Sequence, residues 1–184
     1  MASIVSACEA LLKERSFEQI SMADIAKRAG ISVGNLYNRF SDKDALINHV
    51  LVQCQVGLLS ELKQVFQQTP SQGLRPDLHT LVHLFAERVE PLAPLLLAAA
   101  TRIAKGQSVT TEASANTDEL VDLLVDWVMT HHPEADQQRV YFALGSIAFN
   151  LQFDVLFGTP QRLYGDDFLV GLAEQAYHYV FFKE

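Results

Sequence analysis

The 184-residue sequence predicts an all-α fold, and three observations carry that expectation. No stretch alternates polar and apolar residues with the period of two that a half-buried strand requires. Apolar residues instead recur three and four apart through nearly every stretch between turn signals. The turn signals, Ala29-Gly30-Ile31, Thr69-Pro70-Ser71, Pro91 with Pro94, and Gly158-Thr159-Pro160, punctuate the chain at helix-length intervals. The expected architecture is an N-terminal three-helix helix-turn-helix domain at 1–48 and a larger helical bundle at 49–184, with about nine helices in all.

Ile4, Val5, Cys8, Leu11 and Leu12 share one face of a first helix over 2–15, and Phe17 and Ile20 plug a small core behind it. Ser21 stands where an N-cap belongs, with Asp24 at the three-residue offset of a capping box, so a second helix begins at 22 and runs to 29. Gly30 can take the left-handed conformation that ends it, and Ile31 points back into the core. Ser32 then opens a third helix over 33–40, and Ser41, with Asp44 three residues on, opens a fourth. Ala26, four residues before Gly30, is small enough to let the second and third helices cross closely. Two short helices joined by so tight a turn form a helix-turn-helix, whose second helix enters the major groove of DNA.

The fourth helix, over 42–68, holds Leu46, Val50, Cys54, Leu58, Leu62 and Val65 on one stripe until Thr69-Pro70-Ser71 stops it. A helix over 76–89 follows. Pro94 is placed as the first residue of the apolar helix over 95–104. Residues 106–116, rich in Ser and Thr, read as an exposed loop. A helix over 118–131 turns Leu120, Leu123, Leu124, Trp127 and Val128 inward. Pro133 opens another that runs to 157, and the last, over 166–182, repeats apolar residues from Phe168 to Val180.

The run from Ile4 to Val50 resembles the DNA-binding domain of the tetracycline-repressor (TetR) family through Ile25-Ala26, Ala29-Gly30-Ile31-Ser32, Gly34-Asn35-Leu36-Tyr37, Phe40 and Lys43. The resemblance covers about the first quarter of the chain at motif level, the remainder only by size and helical character. It implies that Val33, Gly34, Asn35 and Asn38 face bases, while Ser21, Tyr37, Arg39 and Lys43 face the phosphate backbone, with Ser32 at the helix start between them. Asn38 suits a two-pronged contact to adenine and Val33 a thymine methyl. The chain departs from the family pattern twice. Ser16 stands where many relatives have glycine, which suggests a tighter or more strained first connection. Arg39 stands where histidine is usual, which keeps a phosphate donor and makes its charge permanent.

The net charge of −8 looks wrong for a DNA binder until the chain is divided. Residues 1–50 carry six basic and six acidic side chains, and residues 51–184 eight and sixteen, so the whole deficit lies outside the motif. Phosphate binding then depends on the placement of a few cations, and non-specific affinity should be modest. No run of eighteen apolar residues occurs, and Glu9 and Glu14 interrupt the N-terminal apolar pattern, so neither a membrane span nor a secretory signal is indicated and a cytoplasmic location is expected. Cys8 and Cys54 lie far apart in sequence with no paired framework and read as buried free thiols.

Little here suggests catalysis. His79, His83 and Glu87 lie four apart on one helix face, but a third ligand at a metal-binding offset is missing, so they read as a polar face or pocket lining, and no metal or cofactor is expected. His131 and His132 close a helix whose dipole favours positive charge. No nucleophile elbow, phosphate loop or triad spacing is present. Aromatic residues exceed what a slim bundle needs, and Phe66, Phe85, Trp127, Phe149 and Phe153, with His83, are the candidates to line a small-molecule cavity between helices. The last two helices offer Gly145, Ala148, Leu169, Leu172, Ala173 and Ala176 for close approach, and the resemblance implies that they pair with their copies in a four-helix dimer interface.

The expectation is therefore a dimeric transcriptional regulator, not an enzyme, that binds a (pseudo)palindromic double-stranded operator and is released as a repressor by a small-molecule effector. The alternative is a helical small-molecule-binding or scaffold protein that has lost DNA recognition. The neutral N-terminal charge and the lack of a basic arm before the first helix are what favour it.

Overall fold

The computed structural model describes residues 2–106, 110–157 and 166–181, and every regular element among them is helical. The order is α1 (Ala2–Glu14), a 3-10 turn (Phe17–Gln19), α2 (Met22–Ala29), α3 (Val33–Tyr37), α4 (Lys43–Gln68), α5 (Leu74–Val89), a second 3-10 turn (Glu90–Leu92), α6 (Ala93–Ala104), α7 (Thr111–His131), α8 (Gln137–Phe157) and α9 (Asp166–Phe181). The all-α expectation holds. The chain forms two compact units, one of Met1–Gly57 with Leu92–Asn116, the other of Leu58–Pro91 with Thr117–Glu184.

In the first unit α1 packs on α2 and on α6, and α2 on α3. One apolar cluster joins Ile4, Cys8 and Leu11 of α1, Ile25 and Ala26 of α2, Leu36 of α3, Leu46 and Val50 of α4, Leu95 and Ala98 of α6 and Ala113 of α7. Leu36 and Ala26 are wholly buried, which lets the short α3 hold its place without length of its own. Burying a leucine is worth about 1.5–3 kcal/mol, more than a five-residue helix gains from propensity.

In the second unit α5 packs on α8 and α9, and α8 on α9. Leu62, Leu78, Val82, Val128, Val140, Leu144 and Leu151 are among its deepest side chains. By length and composition α4 is apolar enough to cross a membrane, yet this reflects core service, since Leu46, Val50, Leu58, Leu59, Leu62 and Phe66 along it are all buried.

Several boundaries differ from expectation for identifiable reasons. Ser16 is extended at φ −65° and ψ 155°, and its N–H reaches Gln19 Oε1 at 3.2 Å, so any residue fits there without strain. Asp42, not Ser41, caps α4: its Oδ1 accepts from the Ala45 N–H at 2.7 Å, and Ser41 Oγ donates to its other oxygen at 3.0 Å. α3 ends at Tyr37 because the next turn tightens, with Arg39 N–H and Phe40 N–H both bonding the Leu36 carbonyl at 3.0 Å. Pro76 lies inside the first turn of α5, where its missing N–H costs nothing.

The loop expected over 106–116 is helical from Thr111. Thr110 Oγ1 accepts from the Ala113 N–H at 3.2 Å, and Ala113 is 1 % exposed in the first core, so packing overrides the turn-like composition. α8 starts at Gln137 instead of Pro133 because Asp136 caps it, Oδ1 accepting from the Arg139 N–H at 3.1 Å. Residues 158–160, expected to end α8, lie outside the described residues.

Candidate nucleic-acid interface

The α2-turn-α3 segment is built by reciprocal capping. Ser21 Oγ accepts from the Asp24 N–H at 3.1 Å, while the Asp24 carboxylate accepts from the Ser21 N–H at 2.9 Å and the Ser21 hydroxyl at 2.7 Å. Those bonds, the hydroxyl's first, hold the Asp24 carboxyl below its ordinary range. Gly30 sits at φ 70°, and the Ile31 N–H returns to the Ala26 carbonyl at 3.0 Å, closing α2. Ser32 Oγ then accepts from the Asn35 N–H at 3.1 Å and starts α3.

Leu36 and Phe40, four apart, face the core, so the rest of α3 and its margins must face out. Ser21, Ser32, Val33, Gly34, Asn35, Tyr37, Asn38 and Arg39 are all exposed. Tyr37 is 52 % exposed and Val33 39 %. A Cβ placed on Gly34 would meet nothing nearer than Ser32 Oγ at 4.0 Å. The surface over Gly34 is open backbone.

Lys43 is the departure. Its ammonium donates to the carbonyls of Phe17 at 2.8 Å and Ile20 at 2.9 Å and lies 4.2 Å above the Phe17 ring. The expected phosphate clamp is thus half-buried and engaged in tying α4 to the entry of α2. Other cations of this unit are also paired: Arg28 with Glu14 at 2.8 Å, and Arg15 with Asp24 at 3.6 Å.

Among the described residues, the expected ligand-lining side chains fall in several places. Phe66 and Trp127 are buried against each other, with ring centroids 5.5 Å apart and Trp127 Nε1 donating to the Phe66 carbonyl at 3.3 Å, and the His131 ring lies tilted against Trp127 at 4.7 Å. Phe85, with Leu81, Val82, Leu124 and Leu144, borders a void of about 10 Å³, room for one water at most. His83 is half-buried, and Phe149 is 66 % exposed, on the outside of α8. The side chain of Phe153 lies outside the described residues. Among the described residues no three His, Cys, Asp or Glu side chains converge as a metal site. His79 Nε2 instead meets Glu174 Oε1 at 2.7 Å, and Arg75 forks onto the same carboxylate. Arg75 first, then His79, hold the Glu174 carboxyl down to about 2. Cys8 and Cys54 are free thiols, each pushed up to about 12 by burial.

Of the expected pairing residues, Leu169, Leu172, Ala173 and Ala176 are already consumed inside the second unit, Ala173 at 0 % exposure. Ala148 is buried too, and Gly145 half-buried. A different set on the same helices faces outward, among them Tyr141, Phe142 and Phe149 on α8 and Tyr179 on α9, exposed by 44–66 %. Tyr141, Phe142, Gly145, Ser146 and Phe149 border an open depression of about 520 Å³. The signal was available in the sequence. α8 is apolar on both faces, Val140, Leu144, Ile147 and Leu151 on one and these aromatics on the other, which is how a helix covered on all sides reads.

The family model described as bacterial regulatory proteins, tetR family, matches residues 4–50, the segment that forms this capped helix-turn-helix. The uncharacterized HTH-type transcriptional regulator YxbF of Bacillus subtilis (strain 168) is 32 % identical over 80 residues, 44 % of this chain and 21 % of that protein's length. A tetR-family transcriptional regulator from Streptomyces coelicolor has the same fold at a TM-score of 0.74, with 17 % identity over 97 % of this chain and 78 % of its own. The transcriptional regulator FadR from Bacillus subtilis, solved in complex with stearoyl-CoA, superposes at a TM-score of 0.69 with 15 % identity over 100 % of this chain and 99 % of its own.

Proposed function

We propose, from the premise that residues 4–50 carry the DNA-binding domain of the bacterial tetR regulatory family on a whole-chain fold shared with such regulators, that this protein is a ligand-responsive repressor acting as a homodimer on a (pseudo)palindromic operator. The observation that carries the reading is the division of α3 and its margins into a buried pair, Leu36 and Phe40, and an outward set that includes Asn35, Asn38, Tyr37 and Arg39. Asn35 and Asn38 supply paired donor and acceptor groups suited to base edges, Arg39 and Tyr37 suit phosphate, and open Gly34 admits the DNA backbone closely. Two copies pair through the aromatic face of α8 and α9, since Phe142 and Phe149 leave an apolar surface that a second copy of the same helices would cover.

The effector is a small apolar or amphipathic molecule. Support comes from FadR, which holds stearoyl-CoA in the same fold, and from the apolar packing of the second unit. At the void beside Phe85, only about 10 Å³, such a molecule would enter by moving helices apart, and it would then favour a state that differs from this one. The role requires no catalytic step. It belongs in the cytoplasm, where the operator is.

The test is selection of bound duplexes from a random pool by the full chain, followed by gel shift. Enrichment of one motif with two related half-sites, bound by a dimer in ultracentrifugation, is the expected result. A chain that enriches nothing over scrambled duplex at low salt would leave the scaffold reading in its place.

A further inference from the structure

Among the described residues Arg102 is a buried cation, 6 % exposed, on the last turn of α6. Its Nε donates to Asp44 Oδ1 at 2.7 Å and its Nη1 to Asn48 Oδ1 at 2.7 Å. Asp44 and Asn48 are four apart, hence on one face of the first turns of α4. Asp44 adjoins Lys43, whose ammonium holds the carbonyls of Phe17 and Ile20 just before α2. Two sets of polar contacts thus meet at the first turns of α4, that of Arg102 from α6 and that of Lys43 to the entry of the helix-turn-helix. Lys105 and Glu18, 3.2 Å apart, add a second tie from α6, exposed and weak.

Leu95 and Ala98 already attach α6 to this unit by apolar contact, and an apolar residue at 102 would serve adhesion as well, since withdrawing a guanidinium from water is costly. What an apolar side chain cannot supply is register. A planar guanidinium with two acceptors at hydrogen-bond distance fixes where α6 lies along α4. We infer that Arg102 is a positioning residue for operator recognition: through Asp44 and Asn48 it holds the first turn of α4, and with it α2 and α3, at a set angle to α6. The inference rests on the DNA-binding reading above. It makes α6 part of the reading head, although the residues that would touch DNA all precede residue 44.

The experiment uses the full chain and a duplex that the wild type selects from a random pool. Affinity for that duplex, for a scrambled duplex, and for versions with the half-sites moved one base pair apart or together is measured for Arg102→Met, Arg102→Lys, Asp44→Ala, Asp44→Asn and Arg102→Met/Asp44→Ala, at a temperature where melting shows each variant folded. Arg102→Met and Asp44→Ala should each weaken the selected duplex about tenfold, and the double variant should be no weaker than the weaker single one, as expected of contacting partners. Asp44→Asn keeps an acceptor for Nε and should stay near wild type. Arg102→Lys reaches one acceptor at a time and should fall between, so it carries the test if Arg102→Met does not fold. Loosened register should also flatten the preference for half-site spacing, while scrambled duplex binds as before. A lowered melting temperature with unchanged affinity and spacing preference would make Arg102 a merely structural residue and overturn the inference, as would additive losses at 102 and 44. A wild type that selects no duplex would instead remove the DNA-binding premise, and the inference with it.

Discussion

The Lys43 ammonium lies 2.8 Å from the carbonyl oxygen of Phe17 and 4.2 Å above the ring of the same residue. One side chain therefore meets a backbone acceptor and an aromatic face of a single partner, and the Ile20 carbonyl takes a second bond at 2.9 Å. Lys43→Met should cost about 1.5–3 kcal/mol of stability, the usual worth of hydrogen bonds to a charged group. Operator affinity measured on folded protein should keep its salt slope. Arg39→Ala, measured on folded protein, should instead lower the slope of log affinity against log salt by about one unit. A salt slope that drops for Lys43→Met would return that residue to the phosphates.

Gly34 offers a cleaner test of how closely DNA approaches. A methyl group there meets open space in the free protein, and alanine is the better helix former, so Gly34→Ala should leave stability equal or raise it by about 0.5 kcal/mol. Operator affinity should nevertheless fall at least tenfold, because the methyl would occupy space the DNA backbone needs. Unchanged binding in a titration would place the close approach elsewhere on α3.

Asn38→Ala separates base reading from general adhesion. The loss should be about 1–3 kcal/mol on the selected duplex and negligible on scrambled DNA. Equal loss on both would count against a base contact from this residue.

On α8 and α9 two glutamate substitutions should part company. Phe149 is 66 % exposed, so Phe149→Glu should leave the monomer folded and shift sedimentation toward monomers, with operator binding lost in parallel. Ala173 is 0 % exposed, so Ala173→Glu should unfold the second unit outright, seen as lost helical circular dichroism. A dimer that survives Phe149→Glu would move the pairing face off α8.

The acid limb of stability should carry the mark of Asp77. Burial alone would push its carboxyl up, but the Gln72 N–H at 2.8 Å, the Ser71 hydroxyl at 2.6 Å and His132 at 2.7 Å together hold it below its ordinary range. A depressed folded pKa contributes stability that is present above the unfolded value, near 4, and is lost as pH falls through the lower folded value. Asp77→Asn should therefore be less stable than wild type at pH 7 by about 1–3 kcal/mol, with a shallower decline toward pH 3 in urea melts. Parallel acid limbs for the two proteins would sink this assignment.

Capping arithmetic was the most legible layer of this sequence. Ser21 with Asp24, Gly30 and Ser32 are short-range devices, settled within four residues of chain, and each formed the cap expected of it. Asp42 displaced Ser41 because two adjacent residues were both competent caps and only the path of the chain chooses between them. Ala113 shows the next limit: a Thr- and Ser-rich stretch becomes helix when one small residue finds a place in a core formed by segments far away in sequence. The pairing of Arg102 with Asp44 and Asn48, and of His132 with Asp77, joins residues more than fifty apart, and no local pattern announces such partners. Phe149, expected to line a cavity inside the bundle, lies outward on α8, because an apolar residue on a helix names a covered face without saying which molecule covers it.

The first unit is discontinuous in sequence: Met1–Gly57 is completed only by Leu92–Asn116, and the intervening residues belong to the other unit. On a ribosome adding about 5–20 residues each second, the interval between the emergence of Gly57 and that of Asn116 is about 3–12 s, long beside the microseconds of local collapse. During that wait the N-terminal helices lack Leu95, Ala98 and Ala113 against their core and have no guanidinium for Asp44. A nascent chain therefore presents α2 and α3 before it can complete the core that holds them in place. On the proposed reading, competence for DNA arrives late in synthesis, and a ribosome that stalls in this window should leave a fragment open to chaperones and proteases.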